Sequence, residues 1–154
     1  FADHFEMVYT FEPDPVNFHC LVNNLPYNNV IKFQCCLGDD HRMVSMTTLP
    51  NEIGGFYVNP NYGTTPTLRI DDLALSHCDF IQLDVEGYQL FALMGAVNTI
   101  KKFKPVISVE FDWAFRYNVN VGDIKSFMAN LGYEKVETYT TDHIYTYQNL
   151  SFSL

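Results

Sequence analysis

Two carboxylates close a strand-like run in the middle of this sequence. The segment at residues 80–88 reads Phe-Ile-Gln-Leu-Asp-Val-Glu-Gly-Tyr, so that Asp84 and Glu86 follow apolar residues typical of a strand buried on both faces. Gly87 lets the backbone turn tightly after them. In open α/β sheets, ligands bind at the carboxyl ends of the strands. We therefore interpret Asp84 and Glu86 as candidate active-site residues, the alternative being two acids that only solvate a turn.

Three more acids stand at the ends of other predicted strands. Glu12 follows a run at residues 5–11, and Glu110 and Asp112 end a later one. Because parallel strands bring their carboxyl ends to one edge of the sheet, these acids are expected around one crevice with Asp84. A carboxylate after an early strand accepts hydrogen bonds from the two hydroxyls of a ribose, a role that Glu12 fits. For a single acid of this kind, a helix cap or a solvated turn is the alternative.

The elements that position these acids alternate between strands and helices. Strands are predicted at residues 5–11, 30–37, 80–85 and 106–111, helices at 15–24, 88–104 and 122–131, and a C-terminal hairpin from strands 133–140 and 144–147. Residues 41–66 read mainly as a loop, with a short strand at 43–46. This alternation predicts a mostly parallel sheet with helices on both faces, in a single domain of residues 1–154.

Composition and charge restrict the classes of partner. Nine basic against eighteen acidic residues give a net charge of −9, which disfavours a nucleic acid because its phosphates are bound by Lys and Arg. No apolar run approaches the ~20 residues of a membrane span. The four cysteines form no Cys-x-x-Cys pair, so we predict reduced thiols in a cytoplasmic protein. The strand-end acids offer oxygen ligands for a hard cation, yet they also suffice for metal-free chemistry, and no metal is predicted.

Several short blocks follow one another in the order seen in a known family. They are Y-T-F-E-P-D-P at 9–15, L-G-D at 37–39, L-R-I-D-D-L at 68–73, I-Q-L-D-V-E-G-Y at 81–88, L-M-G-A at 93–96 and P-V-I-S-V-E at 105–110. In this order the chain resembles the FkbM family of S-adenosylmethionine-dependent methyltransferases over about residues 6–112. The resemblance implies a three-layer Rossmann-like fold, that of class I methyltransferases, with a mostly parallel sheet and a C-terminal antiparallel hairpin.

The same resemblance implies roles for residues on the cofactor side of the crevice. Glu12, with Pro13 beside it, is expected to hold the ribose of S-adenosylmethionine. Gly38 and Asp39 are expected near the adenine, because they follow the next strand. Asp84 is expected to face the methyl donor.

On the acceptor side, the resemblance implies methylation of a hydroxyl on a sugar or small natural product. Asp84 or Glu86 is expected to act as the base or to orient the acceptor, with His143 and His41 as weaker candidate bases. Glu110 and Asp112 are expected on the substrate side. The chemistry is an in-line displacement that needs a positioned nucleophile and at most one base.

One departure from the family changes what is expected of the cleft. The family opens with a strand and a glycine-rich turn of the type Asp/Glu-x-Gly-x-x-x-Gly, and nothing before Phe5 supplies them. That strand lies centrally in the family, between the strand ending at Glu12 and the strand ending at Asp84. Its loss is expected to expose two strand edges or to force a new pairing, in a truncated domain that is either a fragment of a longer protein or a natural remnant.

This departure leaves two alternatives to a methyltransferase open. The first is a truncated, non-catalytic relative that acts as a binding or interaction module, with a homodimer formed through the exposed strand edge. The second is another nucleotide-binding α/β enzyme, which is disfavoured because the glycine-rich phosphate loop that it needs is also missing.

Overall fold

The computed structural model of the chain describes residues 1–48, 55–111 and 114–148. The strands in these ranges are β1 Val8–Phe11, β2 Val30–Phe33, β3 Cys36–Leu37, β4 Met43–Thr48, β5 Phe56–Asn59, β6 Thr65–Leu68, β7 Phe80–Leu83, β8 Val106–Glu110, β9 Tyr133–Tyr139 and β10 Asp142–Tyr147. The α-helices are α1 Pro15–Asn24, α2 Gln89–Met94, α3 Val97–Phe103 and α4 Val121–Asn130, and 3₁₀ turns lie at Ile70–Leu73 and Ala114–Tyr117.

The strands form three small sheets, and the predicted mostly parallel Rossmann-like sheet is wrong. β1 and β2 make a parallel pair, β7-β8-β10-β9 a mixed sheet and β3-β6-β4-β5 a second mixed sheet. Three strand pairs are parallel and four are antiparallel. The physical reason is that, in the described part of the chain, no strand bridges β1 and β7, so the parallel strands fall into separate groups. The strands β4, β5 and β6 instead pair in antiparallel fashion among themselves.

The bounds of individual helices and strands agree with the predictions from the sequence better than the pairing of the strands does. Helix α1 has the predicted bounds, and the C-terminal hairpin of β9 and β10 forms as expected. The strand predicted at 30–37 is divided between β2 and β3, which lie in different sheets. The region predicted mainly as a loop supplies β4, β5 and part of β6. The long helix predicted after Gly87 is broken at Gly95 and Ala96 into α2 and α3.

The main core lies beneath the sheet that contains β7 and β8. Its fully buried members include Leu83 and Ile107 from the sheet and Leu93, Ile100 and Ile124 from the helices. The unit β1-α1-β2 is peripheral to this core, since α1 has no buried residue and Phe11 is the residue of β1 that packs against the core. Strand β7, which leads into the Asp84 loop, is therefore part of the main core through Ile81 and Leu83, whereas β1 contacts that core through Phe11.

Candidate functional site

A cleft separates β1 from β7 and holds the candidate site. Its cavity of about 810 Å³ is lined by all residues of both strands and by the segments that follow them. The ring of Phe5, just before β1, stacks on Phe80 at the start of β7 with a centroid distance of 6.2 Å. The two strands therefore begin at the same end of the cleft, and Glu12, Asp84 and Glu86 line it beyond the strands' carboxyl ends. The volume is within the range of small-molecule sites.

Glu12 is positioned by the turn that starts helix α1. Its Oε1 accepts a hydrogen bond from the Asp14 backbone N–H at 2.8 Å, and Asp14 in turn caps the helix by accepting from the N–H groups of Val16 and Asn17. Burial raises the pKa of Glu12, an effect only partly opposed by the hydrogen bond from Asp14. Glu12 and Pro13 both line the cavity, so this carboxylate is a preformed acceptor in a partly dry site.

The loop after β7 carries the two other carboxylates of the cleft. Asp84 is exposed and Glu86 is half-buried. Glu86 and Gly87 both have positive φ angles, +50° and +99°, and the Tyr88 N–H donates to the Val85 carbonyl at 3.0 Å to close the turn. A left-handed conformation is uncommon at a non-glycine residue and occurs often at functional sites.

Arg116 holds Glu86 from a distant part of the sequence. Its Nη1 lies 3.5 Å from Glu86 Oε2, and its guanidinium lies over the Tyr57 ring at 4.4 Å from the centroid. The adjacent Tyr117 donates its hydroxyl hydrogen to the Val58 carbonyl at 2.7 Å and meets Tyr88 edge to face. The sequence analysis missed the contact between Arg116 and Glu86, because nothing in the local pattern around Arg116 indicates a partner thirty residues away.

Gly38 and Asp39 lie beside the cavity, and neither lines it. They follow β3, and a Cβ at Gly38 would lie 3.6 Å from Cε1 of Tyr88, a residue that does line the cavity. Asp39 Oδ1 is buried without a hydrogen-bond partner in the described residues and lies 3.7 Å from Arg42 Nη2. Burial raises the pKa of Tyr88, and the nearby Arg42 opposes that rise. Tyr88 thus separates the Asp39 loop from the cleft.

Glu110 ends the strand beside the Asp84 loop. Leu83 pairs with Val109 in the parallel register, so the next residue of each chain segment, Asp84 and Glu110, lies at the end of one of two neighbouring strands. Glu110 Oε1 accepts from the Thr141 hydroxyl at 3.3 Å and does not line the cavity. Asp112 lies outside the described residues. Among those that are described, no group of three or more His, Cys, Asp or Glu residues is arranged to hold a metal ion.

The two histidines considered as bases lie outside the cavity lining. His41 Nε2 is 2.9 Å from Asp72 Oδ2 at the surface, and the His143 ring packs on Phe111 at 4.1 Å between centroids. Burial lowers the pKa of His143. His77 does line the cavity, but it pairs with Asp79 just before β7 at 2.8 Å, so Glu12, Asp84 and Glu86 remain the candidate bases beyond the strand ends.

Two adjacent thiols form part of the cavity wall. Cys35 and Cys36 are both buried and line the cleft, with Cys36 Sγ 3.4 Å from Met46 Sδ. Burial raises the pKa of Cys35 to about 11 and that of Cys36 to about 12, so both are neutral thiols at physiological pH. They act as small apolar side chains. All four cysteines of the chain are free thiols.

A cleft of this kind, with carboxylates after strands, is typical of α/β proteins that bind small molecules. The chain belongs to the methyltransferase FkbM domain family, whose model matches residues 3–135, and this confirms the resemblance seen in the sequence. A crystal structure of methyltransferase FkbM from Methylobacillus flagellatus KT is similar in fold, with a TM-score of 0.63 and 21% identity. The match covers 93% of this chain and 37% of that one. No curated protein matches the chain.

The helices in the described ranges also bear on membrane association. None of them is long and apolar enough to cross a bilayer.

Replacing Arg116 with alanine is expected to destabilise the folded chain by about 1–2 kcal/mol. The substitution removes the ion pair with Glu86 and the stacking on Tyr57, and the Arg116 side chain is only 12% exposed. Urea denaturation measures the change. Lys101→Ala is the control, because Lys101 is exposed on α3 and its loss should cost less than about 0.5 kcal/mol. Equal losses for the two variants would contradict a bracing role for Arg116.

Proposed function

We propose that the cleft binds S-adenosylmethionine and that this chain provides one methyltransferase-like domain, residues 1–154, of an enzyme that methylates a hydroxyl on a sugar or small natural product. The observation that carries the proposal is the placement of Glu12 and the Asp84–Glu86 turn around one cavity, in a chain of the FkbM domain family. The half-buried Glu12 carboxylate, with its apolar surroundings, fits the polar sugar and apolar base of a nucleoside. The free cysteines are consistent with a cytoplasmic location.

On the cofactor side, residues of this chain bind and orient S-adenosylmethionine. Glu12 accepts hydrogen bonds from the ribose hydroxyls, with Pro13 against the sugar, and Gly38 and Asp39 support the adenine end from behind Tyr88, the residue that lines the cavity there. When bound, S-adenosylmethionine supplies a methyl group activated by its sulfonium centre. Burial of Cys35 and Cys36 keeps that part of the wall neutral and apolar.

On the acceptor side, Asp84 or Glu86 orients the hydroxyl and takes its proton on a carboxylate oxygen. Arg116 holds the Glu86 carboxylate in position. Glu110, at the neighbouring strand end, and Asp112 contribute to the substrate side. Positioning of this kind is the main requirement of an in-line transfer, and a positioned base typically adds 10²- to 10⁴-fold in rate.

Isothermal titration calorimetry with S-adenosylmethionine and S-adenosylhomocysteine tests the proposal on this chain. We expect saturable binding with one site and mutual competition. Transfer of an isotopically labelled methyl group to a panel of sugars and hydroxylated natural products then tests the activity. Glu86→Gln is expected to keep cofactor affinity, and one of the two variants Asp84→Asn and Glu86→Gln is expected to lower transfer by 10²-fold or more. Absence of cofactor binding would overturn the proposal.

The open cleft favours a second candidate, a non-catalytic binding module. β1 and β7 face the cavity from opposite sides, and within the described residues neither pairs across it. Such a module would retain the fold without binding the cofactor, so the calorimetry separates the two functions. The homodimer expected from the sequence stays a prediction, which sedimentation velocity tests directly.

A further inference from the structure

We propose that the methyl acceptor is an uncharged alcohol or phenol with an apolar body, and that sugars and anionic compounds are poor acceptors. This inference rests on the proposed methyl transfer and narrows its substrate class. Its basis is an apolar surface made by Met46 of β4 and by Phe56 and Val58 of β5, which we call the β4–β5 wall.

The register of β4 and β5 places the three side chains on one face of the strand pair. Met46 is opposite Val58, and Thr48 is opposite Phe56. Opposite residues of an antiparallel pair share a face, and residues two apart on one strand do so as well. Met46, Phe56 and Val58 all line the cavity, whereas Tyr57, which alternates with the last two, does not. The cavity is therefore bounded on this side by one face of a regular strand pair.

The β4–β5 wall lies beside the turn that carries the candidate bases. Val58 and Tyr88 belong to one buried apolar cluster, and Met46 and Val85 pack against that cluster. Val85 stands between the two candidate bases in the sequence. A ligand whose hydroxyl reaches either base is therefore expected to lay its body against the wall.

Two contacts from the 3₁₀ turn after β8 fix the wall relative to the bases. The Tyr117 hydroxyl donates to the Val58 carbonyl at 2.7 Å. The Arg116 guanidinium lies over the Tyr57 ring, and its Nη1 is 3.5 Å from Glu86 Oε2. Strand β5 and the turn after β7 are thus joined through the same two residues, so the surface is held in place before a ligand binds.

The side chains of the wall cannot satisfy the hydroxyls of a sugar. Met46, Phe56 and Val58 present a thioether, a phenyl ring and an isopropyl group, and Cys36 Sγ lies 3.4 Å from Met46 Sδ as a neutral thiol. Each sugar hydroxyl buried against such groups loses its hydrogen bonds to water without replacement. An acceptor with a single hydroxyl directed at a carboxylate avoids this cost. The uncharged polar side chains of the cavity lie on other elements, among them Thr10, Asn17 and Gln82.

The charge of the cavity disfavours anionic acceptors. Glu12, Asp84 and Glu86 line it near the strand ends, and no Lys or Arg does so in the described part of the chain. All nine Lys and Arg residues of the sequence belong to that part, and Arg116, the one beside Glu86, is already paired with it. Phosphates and carboxylates are bound mainly by Lys and Arg, and placing them beside carboxylates is repulsive.

Methyl NMR of the chain labelled with ¹³C in its methionine methyl groups tests where a ligand binds. Met46 is in the wall, Met7 lines the cavity before β1, and Met43, Met94 and Met128 are outside the lining. Titration with 2-naphthol is expected to shift the Met46 signal saturably and to shift the other four much less. The signals are assigned by single substitutions to leucine.

Two further compounds test the chemical class of the ligand. The compound 6-hydroxy-2-naphthoate keeps the ring and the hydroxyl and adds a carboxylate, so we expect it to bind about ten-fold more weakly or worse. Methyl glucoside, which has four hydroxyls and no apolar body, should leave the Met46 signal in place at the same concentration. An equal shift with either compound would overturn the inference, as would a 2-naphthol shift centred on Met7.

A pair of variants on β4 tests the wall itself. Met46→Gln replaces an apolar side chain of the wall with a polar one of similar length and should weaken 2-naphthol binding by about five-fold or more. Met43→Gln is the matched control, because Met43 is 51% exposed and alternates onto the opposite face of the same strand. It should change the affinity less than about two-fold. Equal weakening by the two variants would contradict the wall, and if Met46→Gln does not fold, the Met46 shift in the parent chain decides.

Methyl transfer and cofactor binding separate this inference from the proposed function. If calorimetry shows cofactor binding and labelled methyl groups pass to 2-naphthol in preference to methyl glucoside and 6-hydroxy-2-naphthoate, the acceptor class is supported. If the cofactor binds and the sugar or the acid is preferred, the acceptor class is wrong while the methyltransferase remains. If the cofactor does not bind but 2-naphthol shifts Met46, the apolar site is supported and its role in methyl transfer is overturned.

Discussion

Replacing Glu12 with glutamine is expected to weaken binding of S-adenosylmethionine by about 10- to 100-fold. Hydrogen bonds to a charged acceptor contribute roughly 1.5–3 kcal/mol, and the neutral amide forfeits most of this toward the ribose hydroxyls. The amide oxygen is still able to accept from the Asp14 N–H, so the turn into α1 should persist. Calorimetric titration of the variant measures the loss.

The same substitution is expected to raise the thermal midpoint at pH 7. Burial raises the pKa of Glu12, which means that its ionised form is disfavoured in the folded state relative to the unfolded one. The carboxylate therefore costs stability above its raised folded pKa, and this cost disappears below the unfolded pKa, where both states are protonated. The advantage of the glutamine variant should accordingly vanish as the pH falls through this window.

Glu6→Gln provides the control for both effects. Glu6 lines the cavity at the opposite end, is exposed and lies away from the turn into α1, so its substitution should leave affinity and thermal midpoint nearly unchanged. Unchanged cofactor affinity in Glu12→Gln would remove Glu12 from the ribose role. A lower thermal midpoint at pH 7 would show that the ionised carboxylate stabilises the fold instead.

Replacing Gly95 with alanine is expected to destabilise the folded chain by about 3 kcal/mol or more, since overpacking typically costs 1–3 kcal/mol and here backbone lies opposite. A Cβ at this position would lie 1.9 Å from the Gly38 carbonyl oxygen and 3.4 Å from the Arg69 Cα. The Gly95 carbonyl also accepts from the Asp71 N–H at 2.9 Å, so the backbone at the break between α2 and α3 has little freedom to move.

Gly38→Ala tests the other side of the same contact. A Cβ at Gly38 would meet its nearest neighbour, Thr67 Cβ, at 3.5 Å, which is an ordinary van der Waals distance. This variant should therefore lie within about 1 kcal/mol of the parent in urea denaturation. Since Gly38 leads directly into Asp39, a destabilised Gly95→Ala chain should also lose order beside the cleft. Similar stability of the two glycine variants would contradict the close approach of these segments.

Local chemistry accounts for the elements that the sequence predicted well. Asp14 and Pro15 define the start of α1, because an aspartate cap and a proline in the first turn act within a few residues. The hairpin of β9 and β10 follows from strand propensity and a short turn. The predicted helix 122–131 corresponds to α4, whose start is strengthened by a capping box between Asn120 and Asp123.

The pairing of strands could not be read in the same way. Periodicity shows that a segment is a strand and which of its residues are apolar, but partners are chosen by the space available in the folded chain. The run at 30–37 changes sheets between Phe33 and Cys36, and no local signal marks that change. The helix likewise breaks at Gly95, where the backbone of Gly38, distant in sequence, approaches closely.

The sequence by itself determined the family, the capped start of α1 and the positions of Glu12 and of the Asp84-Val85-Glu86-Gly87 turn after apolar strands. These properties depend on residue order and on interactions within one or two turns of the chain. The tertiary structure alone decided that the sheet is divided at a cleft, that Tyr88 stands between Asp39 and the cavity, and that Arg116 holds Glu86. Those features depend on contacts between segments thirty or more residues apart, where packing and strand pairing, rather than local pattern, set the arrangement.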